Sequence, residues 1–195
     1  FDRRVTIFST PLEIADIVLA RKILIVFVQV LIALVTIPAV ALATMSFENR
    51  NNDGPSIIFP GGELVTGELF SGPEPDWSFT DDVGTIHLQL DDPLSSRLIW
   101  IEESEGKIYI TSDYMGTWLG QRWKQWAVHA YEGDGLAVAR INGVRYERKL
   151  KRVFYSPLLD GVIEKKIAKY RSRITREAIE SGETWVFELA PRTGV

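Results

Sequence analysis

Three rhythms of apolar and polar residues run along the chain. Residues 23–45, ILIVFVQVLIALVTIPAVALATM, are 23 residues without a charge. As a helix they would be about 34 Å long, enough to cross the ~30 Å hydrocarbon core of a bilayer. Pro38 falls late in this run and is expected to kink it. From residue 85 the rhythm becomes alternation. TIHLQL (85–90) places Ile86, Leu88 and Leu90 on one face. RLIWIEE (97–103) and KIYITS (107–112) flank Ser104-Glu105-Gly106, a hairpin turn. LAVARI (136–141) and VRYERKLKRVFY (144–155) flank Asn142-Gly143, and TWVFELA (184–190) reads as a last strand. The third rhythm is helical. Trp118, Leu119, Arg122, Trp123, Trp126 and Ala130 follow i, i+3/i+4 spacing over 117–132, stopped by Gly133-Asp134-Gly135. A second helix is predicted over about 158–181, closed by Gly182.

The order strand, hairpin, helix, hairpin, helix, strand predicts a mainly β (α+β) domain. Its small antiparallel sheet would close into a split barrel carrying two helices, so that alternating faces are buried and edges removed. Residues 46–80 carry turn formers (Gly54-Pro55, Pro60-Gly61-Gly62, Gly72-Pro73) between apolar patches such as Ile57-Ile58-Phe59. They are expected to crawl over the domain or a partner. The chain thus divides into an N-terminal segment (1–22), a transmembrane helix (23–45), an extended linker (46–80) and the barrel-like domain (81–195).

Charge orients the span. Arg3, Arg4, Arg21 and Lys22 precede it and only Arg50 follows closely. The positive-inside rule then expects a cytoplasmic N-terminus and, in a bacterium, a periplasmic domain on a single-pass inner-membrane anchor. PLEIADIVLA (11–20) is expected to lead into the span as a short helix, with Leu12, Ile14, Ile17 and Val18 toward the membrane surface. Ala41-Leu42-Ala43 after the basic pair also fits a cleavable signal peptide, but the apolar run exceeds a usual signal core. Gln29, Ala33, Thr36 and Ala43 lie within about 80° of one another on a helix and form a stripe where another membrane helix could approach closely. Such residues are also ordinary in spans.

Composition narrows the chemistry. Without cysteine there is no disulfide, thiolate nucleophile or zinc–sulfur site. A net charge of −4 speaks against nucleic acid, and two histidines cannot build a histidine-rich metal site. His87, opposite its strand's apolar face, is expected to be exposed, and His129 to suit the end of its helix. Asp81-Asp82 and Asp91-Asp92 read as turn formers rather than calcium ligands. No nucleophile elbow, dinucleotide fingerprint or phosphate loop occurs. The basic run 145–152 puts Tyr146, Arg148, Leu150 and Arg152 on one strand face and Glu147, Lys149 and Lys151 on the other. It suits an acidic partner, anionic lipid headgroups or a solvated edge strand. In GQRWKQWAVHAYEGDG (120–135), Trp123 and Trp126 are expected to cap a barrel end while Arg122 and Lys124 reach water. The other reading is a phosphate clamp with Ser112.

DWSF (76–79), WIEESEGKIYITS (100–112), RWKQWAVHAYEGDGLAVARINGVRYERKLKRV (122–153) and WVFELAPR (185–192) together resemble the split β-barrel of the pyridoxamine-phosphate-oxidase-like and deazaflavin-dependent nitroreductase-like families. The resemblance covers roughly residues 77–190. It implies a flavin (FMN) or deazaflavin held between two copies, with Thr111, Ser112, Arg122 and Lys124 near its phosphate. Two functions are therefore expected. The first is a non-catalytic accessory subunit of a membrane complex, docked through its helix and linker. The alternative is a membrane-tethered flavin or deazaflavin oxidoreductase acting on quinones or other lipid-soluble substrates. A barrel pocket for a lipophilic ligand is a third, weaker idea.

Overall fold

The computed structural model describes residues 11–192. Contacts divide the chain into two compact units, with the boundary between Phe47 and Glu48. Arg3 and Arg4, counted in the charge asymmetry, lie outside the described residues.

The first unit is built on helix α1 (Pro11–Asn49), 39 residues long and therefore about 58 Å. The stretch expected as a separate lead-in helix is its first part. Mean hydropathy reaches 2.8 within Asp16–Asn49, and every side chain from Asp16 to Met45 is exposed. One helix is thus long and apolar enough to span a membrane. Apolar residues circle it, so no single face is left to pack on a protein core. Pro38 lies inside it and cannot donate a bond to the Leu34 carbonyl.

The second unit is α+β. Its strands are β1 (Glu68–Leu69), β2 (Ile86–Leu90), β3 (Ser95–Ile99), β4 (Glu102–Ser104), β5 (Lys107–Ser112), β6 (Leu136–Ile141), β7 (Val144–Val153) and β8 (Trp185–Pro191). The sheet order is β3-β2-β6-β7-β8-β5-β4, all antiparallel, with short β1 parallel to β7. The two edge strands, β3 and β4, are joined by Trp100 and Ile101 alone. At ~3.6 Å per residue, Ile99 and Glu102 stand no more than about 11 Å apart. The edges therefore approach each other and the sheet curls into a half-barrel.

This joint corrects the reading of 97–103 as one strand. β3 pairs with β2, β4 pairs with β5, and the chain changes partner at Trp100. Apolar side chains continue through the switch, so the pattern does not mark it. The helix expected over 117–132 is likewise two, α2 (Trp118–Trp123) and α3 (Gln125–Glu132), broken at Lys124 (φ −97°, ψ 37°). The one expected over 158–181 is α4 (Leu159–Tyr170) and α5 (Arg176–Glu180), because Arg171 adopts a left-handed conformation that ends α4.

Alternation is realised in the core. Ile86, Leu88 and Leu90 on β2, Ile108 and Ile110 on β5, and Phe187 and Leu189 on β8 meet Trp77 and Trp126 inside the barrel. The opposite faces of β5 and β8 carry Tyr109 and Val186, which pack under Leu159 and Val162 of α4 and Ile179 of α5. The β6–β7 turn has φ > 0 at both Asn142 and Gly143, the geometry whose twist matches paired strands. β7 lies between β6 and β8, not at an edge. Its two faces divide as expected, but Arg148 is buried, bonded twice to Glu74 at 2.9 Å and 4.6 Å from the Trp77 ring.

The apolar stretch before the sheet packs on its outer face. Leu64 is buried and its N–H donates to Gln89 Oε1 at 2.7 Å. Arg140 Nη1 donates to Asp53 Oδ1 at 2.7 Å and to Thr66 Oγ1 at 2.8 Å, while Nη2 lies 2.8 Å from His87 Nδ1. His87 is therefore half-buried under this segment, not exposed as expected. Burial, with Arg140 beside it, depresses its pKa.

Candidate functional site

The mouth of the half-barrel, beside the β3–β4 joint, holds a cleft of about 380 Å³. Its walls are Arg97 and Ile99 of β3, Trp100, Thr111 of β5, Asp113 and Tyr114, and Lys124 and Trp126 at the start of α3. A second cleft of about 370 Å³ shares Trp100, Asp113 and Tyr114 and continues past Tyr170 to Arg171 and Arg173.

Two cations in the first cleft have no carboxylate partner among the described residues. Arg97 is directly opposite Leu88 in the β2–β3 ladder, so its side chain enters the barrel, 5.3 Å from the centre of the Trp126 ring. Its Nη2 donates to Ser95 Oγ at 2.8 Å, and its buried Nε has no partner. Burial lowers its pKa to about 10, so it stays charged at neutral pH. Lys124 Nζ lies 4.5 Å over the Trp123 ring, and burial lowers its pKa as well. Trp100, Tyr114 and Trp126 supply flat apolar walls. A half-desolvated pair of cations between aromatic rings is chemically fitted to an anion attached to a planar group.

Behind this cleft lies a polar cluster. Lys166 of α4 is fully buried; its Nζ donates to Thr111 Oγ1 and lies 3.2 Å from Asp113 Oδ2. Asp113 Oδ1 also accepts from Thr184 Oγ1 at 3.0 Å. Glu102 of β4 is fully buried and neither carboxylate oxygen has a hydrogen-bond partner. Burial pushes its pKa up to about 7, against the opposing pull of Lys166 and Lys169. Lys169 Nζ donates to the carbonyls of Thr80 and Ile101 at 2.7 and 2.9 Å. Tyr170 stacks on Trp100 with ring centres 4.5 Å apart.

Of the four residues expected at a cofactor phosphate, the structure brings Thr111 and Lys124 into the cleft. Ser112 is buried with its hydroxyl 3.3 Å from Met115 Sδ, and Arg122 is exposed on α2. Ser112 has the strand parity of Ile108 and Ile110, opposite to Thr111, and Arg122 lies on α2, before the break at Lys124. The second cation is Arg97, which sequence reasoning missed because it sits within an alternating strand. Trp126 does cap the barrel, but Trp123 is 70% exposed. Lys166 also went unnoticed. The available signal was its place in the stripe Leu159, Val162, Lys166, one helical face otherwise apolar. Asp81 and Asp91 are engaged by Lys165 and Arg192, each at 2.5 Å. His129 is half-buried on α3. Gln29, Ala33, Thr36 and Ala43 are all exposed on α1. Among the described residues no group of three His, Asp or Glu side chains is placed to hold a metal ion. No family model matches the chain, and no curated protein matches it.

Proposed function

We propose that the protein is an accessory subunit of a larger membrane complex. α1 spans the inner membrane with its N-terminus in the cytoplasm, and the half-barrel packs on partner subunits in the periplasm. The observation that carries this reading is the surface of α2. A surface helix normally turns its apolar residues inward. In α2 only Gly120 is buried, while Trp118, Leu119 and Trp123 are 78%, 63% and 70% exposed, beside exposed Tyr114. Gly120 is fixed there by close approach, since a Cβ would lie 1.6 Å from the Tyr114 carbonyl oxygen. The inverted helix presents three bulky apolar side chains to whatever lies outside, as interaction surfaces do. On α1 the stripe Gln29, Ala33, Thr36 and Ala43 suits close approach of a partner helix. Extraction from native membranes in mild detergent tests the proposal. The chain should leave as part of a large defined particle, and Trp118→Ser with Trp123→Ser should release it. A monomeric wild-type chain overturns it.

The cleft favours a second reading, a membrane-tethered flavin or deazaflavin oxidoreductase. Arg97, Lys124 and Thr111 would hold the cofactor phosphate, and Trp100 and Tyr114 would flank its ring system. The bound cofactor would supply hydride transfer. Titration of the purified full chain with FMN and with a deazaflavin tests this reading. Saturable binding lost in Arg97→Leu supports it, and absence of binding for both cofactors removes it.

A further inference from the structure

The last residue of α1 is tied to the loop that follows it. This residue, Asn49, donates from Nδ2 to the carbonyls of Phe59 at 3.1 Å and Pro60 at 2.8 Å. The Asn49 carbonyl accepts Asn52 N–H at 3.1 Å, and its Oδ1 accepts Asn52 Nδ2 at 3.0 Å. Residues 56–59 form a tight turn of their own. Ser56 N–H donates to the Phe59 carbonyl at 3.1 Å, and Phe59 N–H donates to Ser56 Oγ at 2.9 Å. At its tip stand Ile57 and Ile58, 92% and 78% exposed. No charged residue occurs from Gly54 to Gly62.

We infer that the Ile57–Ile58 turn is a second membrane contact, seated in the interfacial layer of the bilayer beside the end of α1. The inference rests on α1 spanning the membrane, and beyond that on depth. The apolar run ends at Met45 and Asn49 lies four residues on, about 6 Å along a helix axis. The headgroup layer is roughly 5–7 Å thick on each side of the hydrocarbon core. Asn49 thus falls at headgroup level, and its side chain pins the turn at that level. Two adjacent isoleucines on an uncharged loop can enter this layer without desolvating a charge, and their neighbour there is lipid. The occupant is the bilayer itself. A partner protein covering the turn is the rival outcome.

Absence of cysteine makes the test direct. The full chain carrying Ile58→Cys, spin-labelled, is reconstituted alone into phosphatidylcholine liposomes. Collision of the label with oxygen, which concentrates in lipid, is compared with collision with a water-soluble nickel chelate. Leu42→Cys on α1 gives the lipid reference, and Glu132→Cys at the end of α3 gives the water reference. The Ile58 label is expected to show an oxygen-to-nickel ratio several-fold above Glu132, and Ile57→Cys should agree. A ratio equal to that of Glu132 while Leu42 reads as lipid overturns the inference and leaves the spanning helix intact. This includes the case in which a protein partner is the turn's true cover. A water-like reading at Leu42 overturns the spanning helix and the inference together.

Discussion

Arg140 and Arg97 flank the same strand and meet opposite conditions. Arg140 of β6 stands opposite His87 of β2, and Arg97 of β3 stands opposite Leu88. The period of two along a strand sends the first to the outer face and the second into the barrel. Arg140 is saturated, with Asp53, Thr66 and His87 around it. Burial opposes ionisation of Asp53, yet bonds from Thr66, the Val65 N–H and Arg140 hold its carboxyl down at about 2. Arg97 has one side-chain hydrogen bond and an orphaned Nε. A satisfied cation fixes structure, whereas burying an unsatisfied one costs stability.

Arg140→Leu gives the largest expected effect on this contrast. It should lower stability by about 2–3 kcal/mol and open residues 50–67 to protease, read by denaturant unfolding and limited proteolysis. An unchanged cleavage pattern would mean that Arg140 does not clip the segment down.

Glu102 sharpens the contrast from the acidic side. Its folded pKa of about 7 lies above the ordinary 4.5, so the folded protein keeps a proton that the unfolded chain has lost between these values. Stability is greatest below about pH 4.5 as far as this group is concerned, falls as pH rises to about 7, and stays lowered above. Glu102→Gln should flatten that decline and raise stability at pH 8 by roughly 2 kcal/mol, seen as Tm against pH. Equal pH slopes in the two proteins would place the charge elsewhere.

Arg97→Leu should change stability by no more than about 1 kcal/mol, since it removes an unpaired charge along with a cation–π contact. If the second reading holds, phosphate or FMN binding, measured by calorimetry, should fall at least about tenfold. A loss of stability matching that of Arg140→Leu would erase the distinction. Smallest of all, Trp118→Ser with Trp123→Ser should shift stability by less than about 0.5 kcal/mol, because neither ring is buried. Its effect should appear only in the size of the extracted particle.

The barrel-like domain was legible where one periodicity decided the outcome. Alternation in 85–90 and 107–112 and the Asn142-Gly143 turn lead to strands, faces and register with nothing else needed. Legibility ended where two elements share one pattern. The apolar run Leu98–Ile101 carries the end of β3 through the joint up to β4, and helical spacing continues from α2 into α3, so neither the partner switch at Trp100 nor the break at Lys124 leaves a mark. The cleft inherits that blindness. Thr111 and Lys124 were found through a resemblance, while Arg97, Glu102 and Lys166 were missed because charged residues are expected at the surface. Only the folded sheet shows that Arg97 faces into the barrel and that Glu102, opposite Tyr109, lies on the face covered by α4, whereas Lys166 interrupts the apolar stripe of its helix.

The two-residue joint between β3 and β4 also bears on the order of folding. Ile101 N–H donates to the Tyr170 hydroxyl at 3.1 Å, and Lys169 reaches the Ile101 carbonyl, across nearly seventy residues of sequence. The local β2–β3 and β4–β5 hairpins can form early, whereas the seam that joins them is sealed from α4, after the chain has threaded β6 and β7. Loop-closure entropy sets that sealing late and makes it slow. Until it happens, β4 lacks the cover of α4, and this interval is when a newly made chain is most exposed to edge-to-edge pairing.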